Sequence, residues 1–211
     1  MSVPEHVLVV GAGLAGLRTV ENLRRDGYEG RISLVGAEEH LPYDRPPLSK
    51  QFLAGEWERT KVDLCTAEDL DELGVRTHLG RSAVALRPAE DPADGSEIEL
   101  DDGTVLHADA VVLAVGVTSR VLDDQPDSAH LLRAVDESEQ LRDALASASS
   151  LLVVGAGFIG AEVASLLAAE QCLLVLGGSC TVAFGLCDAM ARAGERPRLV
   201  YIDRHLDLNT P

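Results

Sequence analysis

The sequence predicts a Rossmann-like, three-layer α/β fold, and three observations carry that expectation. Short apolar runs ending in glycine alternate with amphipathic stretches, the pattern of strands feeding helices. The segment VVGAGLAG recurs as VVGAGFIG, with Gly11 and Gly155 144 positions apart, so one device for holding a nucleotide is used twice. Apolar residues make up 46% of the 211 but aromatics only 3%, so the core is one of Val, Leu, Ile and Ala, as buried parallel sheets usually are.

Taken in order, His6–Val10 is a strand, Gly11 a tight turn, and Leu14–Arg25 an amphipathic helix that Gly27–Gly30 breaks. Arg31–Val35 is the next strand, closing a βαβ unit of about 30 residues. Residues 38–53 are polar and proline-rich, a loop with room for one helical turn. A short helix over Thr66–Leu73 precedes a strand at Val75–Leu79. Ala83–Leu86, Glu97–Leu100 and Val105–His107 alternate apolar with polar and are joined by turn signals at Asp94-Gly95 and Asp102-Gly103, which predicts an antiparallel meander. Ala110–Ala114 is a buried strand, Asp136–Ala146 a helix, Ser150–Val154 a strand and Ile159–Ala169 a helix. Strand, helix and strand follow at Leu173–Leu176, Leu186–Ala193 and Leu199–Ile202.

Each glycine of the first loop has a separate task. Gly11 permits the turn, Gly13 lets backbone approach a diphosphate, and Gly16 lets helix pack on strand. The helix start then offers unpaired N–H groups to the phosphates. Gly11, Gly13, Ala15 and Gly16 are therefore candidate dinucleotide contacts, and Gly155, Gly157 and Gly160 repeat them. A ribose-binding acid is expected about 20 residues after the loop. Glu38 is the candidate after the first, the other reading of Glu38 and Glu39 being two solvated loop carboxylates. After the second loop that place holds Leu176-Gly177-Gly178, with no acid.

The most distinctive segment is Leu41–Lys50, LPYDRPPLSK. With the two glycine loops it makes residues 5–170 resemble the ferredoxin reductase family of FAD-dependent oxidoreductases, within the pyridine nucleotide-disulfide oxidoreductase superfamily. The resemblance implies that Arg45 and Lys50 sit beside the flavin, where a buried Lys50 cation would favour the electron-rich reduced form. It further implies that Val84 meets the adenine through its backbone, that Arg133 contacts FAD, and that Glu162 stands near the nicotinamide. Ala114-Val115-Gly116-Val117-Thr118-Ser119-Arg120 resembles the family's ATGxxPR segment, making Ala114 and Gly116 cofactor contacts; Val115 and Ser119 replace its Thr and Pro, a departure expected to lower flavin affinity. Lys50 and Glu162 are thus the catalytic candidates. The implied activity is hydride transfer from NAD(P)H to FAD, then electron delivery to a ferredoxin-type iron–sulfur partner.

The net charge of −17 excludes a nucleic-acid binder, which needs basic patches. No apolar run is long enough for a membrane span and no leader pattern opens the chain, so a cytoplasmic protein is expected. Cys65, Cys172, Cys180 and Cys187 lack CxxC spacing, so no dithiol relay is implied. Residues 1–170 hold 14 basic and 31 acidic side chains against 4 and 4 in 171–211, and three of the four cysteines fall in that tail. The tail resembles a fragment of an arginase-like ureohydrolase in LVLGGSCTVAFG and LVYIDRHLDLNTP. Asp203, His205 and Asp207 alternate onto one side there and are weak candidates for manganese, but Cys180 stands where that family has a histidine ligand, so no working metal site is expected.

The expected organisation is an FAD-binding Rossmann-like domain with its meander over 1–120, a linker and helix over 121–148, the start of an NAD(P) domain over 149–171, and the ureohydrolase-like segment over 172–211. On that reading the fold is incomplete at its C-terminus, with a fusion or truncation near 165–172. A non-catalytic FAD-binding remnant is the main alternative function, and a manganese ureohydrolase the lesser one.

Overall fold

In the computed structural model the described residues are 3–91, 94–119, 121, 126, 128–148, 150–155, 157–166 and 172–176. The chain divides into two compact units, one of residues 1–44 and 60–118, the other of 45–59 and the residues from 119 onward. Residues 45–59, which the sequence reading places inside 1–120, therefore pack with the second unit.

The first unit is built on a parallel sheet of order β3-β2-β1-β7, with β1 at His6–Val10, β2 at Arg31–Gly36, β3 at Val75–Leu79 and β7 at Ala110–Leu113. β1 is buried along its whole length because both faces of the sheet are covered. Val7, Val9, Ile32, Leu34 and Val75 lie with Val20 of helix α1 (Leu14–Arg25) in one cluster. On the opposite face Leu8, Val10 and Val35 pack with Ile98, Leu100 and Ala108. These last three belong to the antiparallel meander of β4 (Ala83–Pro88), β5 (Ser96–Leu100) and β6 (Val105–Ala108). Helix, parallel sheet and meander make the three expected layers.

Two polar anchors set the start of β1. Asp109 Oδ2 accepts the backbone N–H of Glu5 at 2.7 Å and of His6 at 2.8 Å. The buried His6 ring is bonded at both nitrogens, Nδ1 to the His107 carbonyl and Nε2 to Ser33 Oγ, so its burial leaves no orphan polar atom. Helix α2 (Ala67–Glu72) is shorter than expected because Thr66 lies outside it as its cap, exchanging hydrogen bonds with Asp69.

The second unit holds a one-turn 3₁₀ helix at Pro46–Ser49, helix α3 (Val135–Ser147), strand β8 (Ser150–Val154), helix α4 (Phe158–Ser165) and strand β9 (Cys172–Leu176), which pairs with β8 in parallel from Ser150↔Cys172 to Val154↔Leu176. Leu53, Leu141 and Val163 form its core with Leu132, Leu145 and Leu151 around them. Glu137 Oε2 caps α3 by accepting the N–H of Arg133 at 2.7 Å and of Ala134 at 2.9 Å. The helix expected over Ile159–Ala169 is described as far as Ser165. The helix and strand expected at 186–193 and 199–202 lie outside the described residues. Among the described residues no helix is long and apolar enough to cross a membrane.

Candidate functional site

The two glycine loops repeat each other in backbone, and in crowding at the third glycine. Gly11 has φ +117°, and Gly155 has φ +115°, a region that side-chain-bearing residues avoid. A Cβ on Gly11 would also fall 2.1 Å from the Ala114 carbonyl oxygen. At the third glycine the helix presses on the loop, since a Cβ on Gly16 would lie 1.9 Å from the Gly11 carbonyl oxygen, and one on Gly160 2.1 Å from that of Gly155. The middle glycines differ in kind. A Cβ on Gly13 or Gly157 would meet nothing within 4 Å.

Gly13 and Gly157 are the N-caps of α1 and α4, positions where Ser or Asp would serve the helix better. Neither helix has a side-chain cap or an acid in its first turn. The fold thus demands the outer glycines and gives no packing reason for the middle one. A diphosphate lying against the loop supplies that reason, because it needs close backbone approach and the helix's free N–H groups. The residues present fit a dinucleotide at both loops. Ala15 is exposed on the first turn of α1, its carbonyl taken by Thr19 Oγ1 at 2.8 Å.

Around the first loop, Glu38 follows the end of β2 and is half-buried, and its Oε2 accepts a hydrogen bond from the buried Tyr43 hydroxyl. Its carbonyl accepts the Gly80 N–H at 2.9 Å. A solvated loop carboxylate is not what is seen at Glu38, whereas Glu39 is exposed. In β4 the pairing slips between Ala83 and Ala85, so Val84 faces no residue of β5 and its side chain is exposed. A slip of this kind takes a residue out of the ladder, which suits a backbone contact to a ligand at Val84. The Ala114 N–H bonds the Val10 carbonyl at 2.7 Å, carrying the β1–β7 pairing just past the strand, and Gly116 beyond it is exposed.

In the second unit the RPPLSK part of LPYDRPPLSK, Arg45–Lys50, is held at several points. Arg45 donates to the Arg133 carbonyl at 2.8 Å, bringing these two candidates together. The buried Ser138 hydroxyl of α3 donates to the Leu48 carbonyl at 2.7 Å. The 3₁₀ turn buries Pro47, Leu48 and Ser49 and delivers Lys50 at its end. There Lys50 Nζ lies 3.0 Å from Glu162 Oε1 and 3.1 Å from the Pro46 carbonyl. The two catalytic candidates are therefore an ion pair.

The expected buried cation is corrected by this geometry. The Lys50 side chain is 43% exposed and its charge is matched by Glu162, because the lysine caps the turn instead of lying within its buried stretch. Tyr43 and Ser49 had no role in the sequence reading although both lie in its most distinctive segment. Ser138 had no sequence signal at all, being one serine in a polar helix. Of the acid-free stretch Leu176-Gly177-Gly178, Leu176 ends β9, and Gly177 and Gly178 lie outside the described residues, as do Cys180, Asp203, His205 and Asp207. Among the described residues no three His, Cys, Asp or Glu side chains gather as a metal site would require.

Residues 5–194 match the family described as pyridine nucleotide-disulphide oxidoreductase, a match that runs past the break expected at 165–172 and into the segment resembling a ureohydrolase. Among curated relatives, the chain is 40% identical over 163 residues to the benzene 1,2-dioxygenase system ferredoxin–NAD(+) reductase subunit of Pseudomonas putida, covering 76% of this chain and 38% of that protein. It is 37% identical to rhodocoxin reductase of Rhodococcus erythropolis over 162 residues, which cover 75% of this chain and 37% of that protein. The fold resembles the crystal structure of the covalent putidaredoxin reductase–putidaredoxin complex with a TM-score of 0.78 and 29% identity, over 92% of this chain and 49% of that one. The chain thus spans well under half the length of these curated relatives.

Proposed function

This chain belongs to the pyridine nucleotide-disulphide oxidoreductase family, and on that premise we propose that it serves as an FAD-dependent ferredoxin reductase, taking electrons from NAD(P)H and passing them to a ferredoxin-type iron–sulfur protein. The observation that carries the reading is the repeated glycine loop, whose outer glycines are required by the fold and whose middle glycine is not. Two such loops suit two dinucleotides, and the relatives named as ferredoxin–NAD(+) reductases supply the chemistry.

In this reading Gly11, Gly13, Ala15 and Gly16 take the FAD diphosphate, Glu38 its ribose, and the Val84 backbone its adenine. Tyr43 orients the Glu38 carboxylate. Ala114, Gly116, Arg45 and Arg133 are further FAD contacts, and Gly155, Gly157 and Gly160 take NAD(P)H. When bound, FAD would supply the two-electron acceptor for NAD(P)H and the single-electron donor for the iron–sulfur partner. Lys50 stands beside the flavin as one member of an ion pair, and Glu162 holds its ammonium in place. No side-chain nucleophile or triad is required. A cytoplasmic location is part of the proposal, since NAD(P)H is regenerated there.

The test begins with calorimetric titration of the folded protein with FAD, then anaerobic addition of NADH and NADPH while the flavin absorbance is followed. Saturable FAD uptake and bleaching by either nucleotide are expected. A protein that takes up no FAD loses the assignment, and one that takes it up without bleaching is a non-catalytic binder.

A further inference from the structure

Glu162 carries two partners, and the second is unassigned. While Lys50 Nζ holds Oε1, the hydroxyl of Ser49 donates to Oε2 at 2.5 Å. Ser49 is 5% exposed, on the buried side of the 3₁₀ turn, and the carbonyl of the preceding residue, Leu48, accepts the Ser138 hydroxyl. Lys50 and Glu162 are more open, their side chains 43% and 28% exposed. An ion pair that open is weak, because water screens it and both long side chains lose rotamer freedom in forming it. A hydroxyl fixed by a buried turn changes this. It removes the freedom of the carboxylate before the lysine arrives, so the pair forms against a preset acceptor.

We propose that Ser49 is the positioning residue of the Lys50–Glu162 pair, fixing the Glu162 carboxylate through Oε2 and, through it, the Lys50 ammonium. Its bearing on hydride transfer rests on the flavin reading above; its effect on the pair does not. Ser49 touches neither cofactor in this role and acts only through Glu162.

The sequence contains two lysines, Lys50 and Lys61, which makes a direct test possible. Nitrogen-detected NMR of the lysine ammonium groups is recorded on the full chain without cofactor, with Lys50→Arg assigning the two signals and Lys61 as internal control. A Lys50 signal protected from exchange is expected in the wild type. In Ser49→Ala it broadens away while the thermal melt and the Lys61 signal stay unchanged; Ser49→Thr, which keeps the hydroxyl, retains it. In Glu162→Gln it is lost, and adding Ser49→Ala does nothing more. A Lys50 signal that survives Ser49→Ala at wild-type intensity, or is absent from the wild type, overturns the proposal.

A second arm uses protein loaded with FAD. Ser49→Ala is expected to slow flavin reduction at saturating NADH about ten-fold, with the NADH concentration for half-maximal rate unchanged within about two-fold. An unchanged limiting rate overturns the link to hydride transfer. If the wild type takes up no FAD, the functional reading falls, and the lysine signals alone decide the role of Ser49.

Discussion

At Gly13 a side chain would meet nothing in the fold, and that separates binding from folding. Gly13→Ala is expected to shift stability by at most about 1 kcal/mol, the scale of an N-cap change, while weakening FAD binding more than ten-fold. Gly16→Ala, whose Cβ falls 1.9 Å from the Gly11 carbonyl oxygen, is expected to lower the melting temperature outright. Parallel melts and FAD titrations check both; equal FAD affinity in Gly13→Ala and wild type would remove the diphosphate from that loop. His78 makes a different prediction. Burial holds its pKa below the usual imidazole range, helped by Arg76 and His6 and opposed by Asp102, and its Nε2 is buried with no partner among the described residues. Because the folded pKa is lowered, the unfolded chain binds the proton first. The stability that neutral His78 allows is therefore present above about pH 6.5 and is lost as pH falls below it. Urea midpoints at pH 7.5 and 5.5 are expected to differ less in His78→Phe than in the wild type, and identical pH slopes would show the ring does not matter.

At the scale of elements, Arg24 joins pieces that no ladder joins. Its guanidinium donates from Nε to the Leu73 carbonyl at 2.7 Å, from one terminal nitrogen to Tyr28 and Gly30 at 2.6 and 2.8 Å, and lies over the Tyr28 ring. Lysine cannot reach these carbonyls together, so Arg24→Lys is expected to cost about 2 kcal/mol in urea unfolding; a loss of under about 0.5 kcal/mol would mean the carbonyls are as well served by water. Most of the elements were legible because their signals are local. The apolar run of His6–Val10 and the 3.6-residue period of Leu14–Arg25 can be read without knowing anything distant. What was not legible is non-local. Nothing near Ala110–Leu113 says that it pairs with β1, and nothing near Arg45–Arg59 says that it packs with residues after 118. Lys50 and Glu162 were each singled out by resemblance, yet their contact spans more than a hundred residues; Ser49 meets Glu162, and Ser138 the Leu48 carbonyl, only through the fold. The short α2 shows the local case in reverse, since Thr66 reads equally as a first helical residue or as the cap it is.

For the whole molecule, one thiol reports on whether the first unit is folded around it. Burial pushes the Cys65 thiol up to about 11, with the carboxylates of Asp69, Glu21 and Asp63 adding to it. At pH 8 its thiolate is scarce, and alkylation is expected to run on the order of a hundred-fold slower than in the unfolded chain. Mass spectrometry of the Cys65 peptide after timed iodoacetamide exposure measures this; labelling at the unfolded rate would show that the fold does not hold the thiol in its neutral form. The division of the chain sets what any such experiment can isolate. Residues 45–59 belong with those after 118, so the backbone passes from one unit to the other at 44–45, again at 59–60 and again at 118–119. A protease that nicks one of these crossings leaves the halves tethered by the remaining two. No single uninterrupted stretch of the gene encodes either unit, and a clone cut at any one boundary carries away part of its neighbour.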